Sequence, residues 1–190
     1  MPGMGPLPPD FLRPPSDNPS AAMPGAYTID LEHCSVIARV KHAGTSFSVL
    51  RFGVTKGKLT WDAKTPAAIR LDVTVDTKPH YDPIVYRLKP ESPPLLDVAQ
   101  FPQASFVSTA VRPTGPRSAD IVGQLTLLGV SRPAVIHAGL VGVGHNITGA
   151  ATVGFTGTMV IRWADFAKSP KAGPDLGDIT LVLDAEFIKA

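Results

Sequence analysis

From Tyr27 almost to its C-terminus the chain alternates apolar and polar residues with a period of two, the spacing of strands that bury one face. Residues 68–75 show it most plainly, with Ile69, Leu71, Val73 and Val75 on one face and Ala68, Arg70, Asp72 and Thr74 on the other. The same spacing sets Val36, Ala38, Val40 and His42 opposite Ile37, Arg39 and Lys41. It also sets Ile179, Leu181, Leu183 and Phe187 opposite Thr180, Asp184 and Glu186. Further runs at 47–61, 103–111, 119–128, 134–143 and 150–163 are bounded by Gly, Pro and Asn punctuation. With Tyr27–Asp30 they make about eight or nine strands. Helical signal is scarce. Ser92 followed by Pro93 and Pro94 reads as a cap on a helix of about one or two turns, and a second short turn is expected after Trp163. Many strands with hardly a helix between them exclude the alternating βαβ architecture and leave a sandwich or a closed barrel.

Residues 1–25 obey a different rule. Pro2, Pro6, Pro8, Pro9, Pro14, Pro15, Pro19 and Pro24 hold eight of the chain's 20 prolines there, too many for helix or ladder. The expectation is an extended, mobile arm that is dispensable for folding, followed by one domain over 26–190. The arm has neither the basic start nor the apolar stretch of a secretory signal peptide.

Composition narrows the function classes. A net charge of +2 from 18 basic and 16 acidic residues, with no basic cluster, argues against nucleic acid. Cys34 stands alone, so neither an internal disulfide nor a cysteine-based zinc site is available. No apolar run reaches the roughly 18 residues of a membrane-spanning helix. The histidines, His33, His42, His80, His137 and His145, show no HxH, HxxxH or HExxH spacing, so no metal and no cofactor are expected. There is no G-x-S-x-G nucleophile motif, and the glycines at 139, 142 and 144 open no phosphate loop. What remains is the apolar inner faces, among them Val36, Ala38, Val40, Leu50, Phe52, Ile69, Leu71, Val73, Phe106, Leu125, Phe155, Ile161 and Leu181. In a barrel of about eight strands such residues either fill the interior or line it.

The order of motifs resembles the YceI-like, polyisoprenoid-binding family. Tyr27-Thr28-Ile29-Asp30-Leu31-Glu32-His33-Cys34 is similar to that family's Y-x-I-D-x-x-H-S opening, with cysteine in place of serine. Val36 to His42 stands where the family has its F-x-V-x-H strand, with Ala38 in place of a phenylalanine. Gly57-Lys58-Leu59 and Val75-Asp76-Thr77 follow. Next come Leu96-Asp97, Phe101-Pro102, Phe106-Val107-Ser108-Thr109, and the run from Gly123-Gln124-Leu125-Thr126 to Arg132-Pro133, similar to G-x-L-T-I-x-G-V-T-[KR]-P. Gly154-Phe155, Arg162 and Asp165-Phe166 close the order, with Ala167 in place of a glycine; residues 78–94 lack the family's R-D-x-H-L element.

The resemblance implies an extended, antiparallel, lipocalin-like β-barrel holding a long isoprenoid or similar amphiphile in its lumen, usually in the periplasm and often as a homodimer. Without a visible signal peptide, a cytoplasmic location stays open. On this reading the tail is expected against Val36, Ala38, Val40, His42, Leu50, Phe52, Ile69, Leu71, Val73, Phe106, Leu125, Phe155, Ile161 and Trp163, with His33, Asp76 and Arg162 as polar groups at the mouth. Two alternatives stand beside it: an enzyme acting on an isoprenoid or quinone, with His33, His42 or Asp76 as acid or base, and an interaction protein whose barrel is filled.

Overall fold

The computed structural model describes residues 6–11, 13–81, 95–167 and 175–190. Its strands are β1 (Gly25–His42), β2 (Ser46–Trp61), β3 (Arg70–Tyr81), β4 (Gln103–Gly115), β5 (Ser118–Leu127), β6 (Val130–His145), β7 (Ala151–Arg162) and β8 (Asp178–Lys189). Each pairs antiparallel with its sequence neighbour, and β8 pairs back onto β1, so the sheet closes. Closure satisfies the strand edges that an open sheet would expose. The terminal end of the barrel carries the start of β1, the finish of β8 and the β2–β3, β4–β5 and β6–β7 connections. The finishes of β1, β3, β5 and β7 lie at the opposite end.

The two alternating runs around Tyr27–Asp30 and Val36–His42 are one strand. Along β1 the buried residues are Tyr27 and Ile29, then Cys34, Ala38 and Val40, so the inward set switches from odd to even numbers. A bulge makes the switch: between the pairs Thr28–Lys58 and Val36–Phe52, eight steps on β1 answer six on β2. β2 changes parity as well, from Leu50 and Phe52 to Gly57, Leu59 and Trp61.

Helix is confined, among the described residues, to three single 3-10 turns at Pro19–Ala21, Pro66–Ala68 and Trp163–Asp165. The turn expected after Trp163 is the last of these. The helix expected from Ser92 begins outside the described residues. Its expected continuation, Leu95–Gln100, is a pair of turns in which the Asp97 carbonyl accepts from the Gln100 and Phe101 amides at 3.0 and 2.8 Å.

Residues 13–24 lie along the barrel. β5 begins opposite Gly139, which leaves the last turn-ward stretch of β6 without a β5 partner. Ser16 takes that place: its amide donates to the Val143 carbonyl and the Val143 amide donates back, both at 2.8 Å. Arg117 donates to Asp17 at 3.3 Å, the Tyr27 hydroxyl donates to the Met23 carbonyl at 2.7 Å, and Ala22 is buried. The proline content that forbids regular structure also keeps this segment extended, which suits a one-bridge edge strand.

Candidate functional site

A cavity of about 370 Å³ runs inside the barrel, with wall residues from all eight strands. That volume falls among pockets that take small organic ligands, roughly 300–1,000 Å³. Val36, Ala38, Val40, Leu50, Phe52, Ile69, Leu71, Val73, Phe106, Leu125, Phe155, Ile161 and Trp163 all stand on its wall. Alternation brings them there from strands far apart in sequence. Several inward residues, including Val36, Phe52, Val73, Phe155, Leu181 and Leu183, are only half-buried although they point into the barrel. Side chains that filled the interior would have lost that surface, so the barrel is lined and space remains beside them.

Three expected residues lie elsewhere. His42 shares the parity of Val40 but ends β1 beyond its last pair with β8, Arg39–Thr180, and is exposed outside the cavity wall. His33 sits in the β1 bulge, where the parity switch turns it to solvent, and its Nδ1 lies 2.9 Å from Asp30 Oδ2. Arg162 falls between two inward neighbours, Ile161 and Trp163, so alternation sends it outward. Of the expected mouth residues, Asp76 alone is on the wall.

The structure adds members that alternation did not single out. Leu59, Trp61 and Met159 extend the wall, and at the terminal end Trp61 packs on Phe155 at 5.4 Å, which meets Phe187 edge-on at 6.3 Å. Leu59 and Trp61 follow the β2 parity switch, so extrapolating inward faces from Leu50 and Phe52 misplaces them. Pro19 from the arm and Arg117 from the β4–β5 turn also reach the wall; punctuation residues gave no such signal. The indole Nε1 atoms of Trp61 and Trp163 are buried without a hydrogen-bond partner, the only such side-chain atoms among the described residues.

Among the described residues, charge on the wall is sparse: Asp76, Arg117 and Asp184. Thr77, buried beside Asp76, spends its hydroxyl on the Phe101 carbonyl at 2.6 Å. Cys34 is buried with its thiol toward the Leu31 carbonyl at 3.5 Å, and burial pushes its pKa up, away from the reactive thiolate. Among the described residues no three His, Cys, Asp or Glu side chains are grouped to hold a metal ion. The arrangement is suited to enclosing an apolar chain.

Comparison with known proteins agrees with this geometry. The model of the YceI-like domain family matches residues 27–187. A UPF0312 protein of Pseudomonas savastanoi pv. phaseolicola is 38% identical over 169 residues, covering 87% of this chain and 86% of its own. A UPF0312 protein of Shewanella sp. is 36% identical over 174 residues, with 90% and 91% covered. Among solved structures, BcnA of Burkholderia cenocepacia superposes with a TM-score of 0.65 at 21% identity, over 83% of this chain and 98% of that one. A polyisoprenoid binding domain from Saccharophagus degradans, implicated in plant cell wall breakdown, superposes at 0.60 with 10% identity, over 86% and 98%. At these identities the superpositions establish a shared fold.

Proposed function

Since the chain belongs to the YceI-like family, we propose that it binds a long-chain isoprenoid or similar amphiphile, keeping the tail in the barrel lumen for sequestration or carriage. The single observation that supports this most is the apolar cavity of about 370 Å³ whose wall residues keep surface free for a guest. Burying a tail of ~20 carbons at roughly 0.8 kcal/mol per CH₂ gives a gross gain of ~16 kcal/mol, enough to leave tight binding after substantial ordering costs. A polyisoprenoid-binding relative in fold fits the same ligand class. The function needs no chemical step, and the two histidines considered as acid or base, His33 and His42, are away from the lumen. Organic extraction of purified protein followed by mass spectrometry tests the reading. An unmodified amphiphile close to one per chain is expected. Protein that carries no lipid and takes up none when offered a C20 isoprenol would overturn it.

A further inference from the structure

We propose that Arg117 anchors the head of the lumen ligand, and that this head is anionic, a carboxylate or a phosphate, competing with Asp17 of the N-terminal arm for the guanidinium. The proposal rests on the lumen-binding reading above. Among the described residues the cavity wall carries three charged side chains, of which Arg117 is the only cation; the others, Asp76 and Asp184, are carboxylates on β3 and β8. It stands in the two-residue turn between β4 and β5, at the terminal end, where a head would meet water while its tail lay along the axis.

The guanidinium is held before any ligand arrives. One terminal nitrogen, Nη2, donates to the Leu140 carbonyl at 2.9 Å and to the Val141 carbonyl at 3.3 Å, at the end of β6. The other, Nη1, donates to Asp17 Oδ2 at 3.3 Å. Five N–H donors in a planar fork leave capacity beyond these bonds, and a fork fixed by backbone carbonyls loses little freedom on gaining an oxyanion. The fork matches carboxylate and phosphate oxygens better than a neutral hydroxyl.

Asp17 shows what that position accepts. Its side chain is 75% exposed and reaches Arg117 through one long bond, so the pair is weak and exchangeable. Two residues on, Pro19 forms part of the cavity wall, so arm and ligand head share one rim. A negatively charged head therefore replaces the arm's carboxylate with its own.

Three probes with one C20 tail separate the terms: geranylgeraniol, geranylgeranoic acid and geranylgeranyl monophosphate, measured by equilibrium dialysis against the full chain, with thermal unfolding as a check on folding. In the unaltered protein at least one anionic probe is expected to bind about tenfold or more tighter than the alcohol, with the margin shrinking in salt. Whichever of acid and phosphate has the larger margin identifies the head. Arg117→Gln is expected to erase the margin while leaving the alcohol's affinity in place. Asp17→Asn, which leaves Arg117 intact, is expected to raise anionic affinity about two- to fivefold and leave the alcohol unchanged. Equal binding of all three probes, or an Arg117→Gln loss shared equally by all three, would overturn the anchor and leave the lumen reading standing. If none of the probes bound, both would fall.

Discussion

His33 and Asp30 form a small pH-sensitive unit in the β1 bulge. The hydrogen bond to Asp30, then its charge, lifts the His33 imidazole above its ordinary value near 6.5, and the same bond holds the Asp30 carboxyl below its ordinary value near 3.8. The histidine's contribution to stability is complete below its unfolded value and is lost as pH rises through the raised folded value. The aspartate's is present above its unfolded value and is lost as pH falls through the depressed one. Their shared contribution therefore lies between about pH 4 and 6.5 and fades above it. The urea midpoint of the protein minus that of Asp30→Asn should be largest near pH 5–6 and narrow by about pH 8; a difference that stays flat would contradict this. The His33 side chain is 65% exposed, so the effect is small and salt-sensitive. A second residue, Gly123 on β5, has a purely steric role. A Cβ there would come within 2.5 Å of both the Phe106 ring and the Val107 carbonyl. The ring can turn, but the carbonyl is fixed in the ladder, so Gly123→Ala is expected to cost about 1–3 kcal/mol in chemical denaturation. In sequence this glycine is visible only as the opening of a motif. Its reason is a backbone approach from a strand that precedes it, which no local pattern records.

At the scale of elements, period-two alternation marks the strands because each buries one face, and it marks inward residues where parity is kept and the strand stays paired, as from Ile69 through Val75. Alternation does not carry across the bulges of β1 and β2, where parity changes within one strand: the bulge turns His33, expected at the mouth from the family resemblance, to solvent, and it brings Leu59 and Trp61 inward out of step with Leu50 and Phe52. A bulge is fixed by how many residues the partner strand supplies, and that count is invisible in the strand's own pattern. The arm shows a similar gap. Composition marks it as irregular and dispensable, yet the unpaired end of β6 is a property of where β5 starts, and only the assembled sheet shows that Ser16 fills it. Removing residues 1–24 would free the Val143 amide and carbonyl, the Tyr27 hydroxyl and one side of Arg117. A loss of about 1–2 kcal/mol is expected, lowering Tm by roughly 3–8 °C. An unchanged melting curve would show that water replaces the arm without penalty.

At the scale of the whole molecule, alternation tells which residues face inward along unbulged strands but leaves open whether they meet across the barrel. Closing about eight strands gives an interior that side chains can just fill or that can hold one small ligand, and residue type does not decide between them. The decision lies in the radius and stagger of the assembled barrel, which here leaves Val73, like Val36, Phe52 and Phe155, half-buried beside free space. Val73 tests this directly. It sits within β3, opposite Gly57 on β2 and Phe106 on β4, and lines the cavity. In a close-packed interior, Val73→Trp would force an indole among touching atoms and overpack by roughly 1–3 kcal/mol or more. In a lined barrel the indole enters the void, adds buried apolar surface and takes the path of the tail. Asp72→Trp, one residue away and facing solvent, controls for the effect of an added indole on the strand. The expected outcome is little change in the urea midpoint for either variant, with bound or exchangeable C20 isoprenoid lost from Val73→Trp alone. A sharply lowered midpoint with lipid retained would mean that this part of the wall is packed core, and that a tail would have to lie along another part of the barrel.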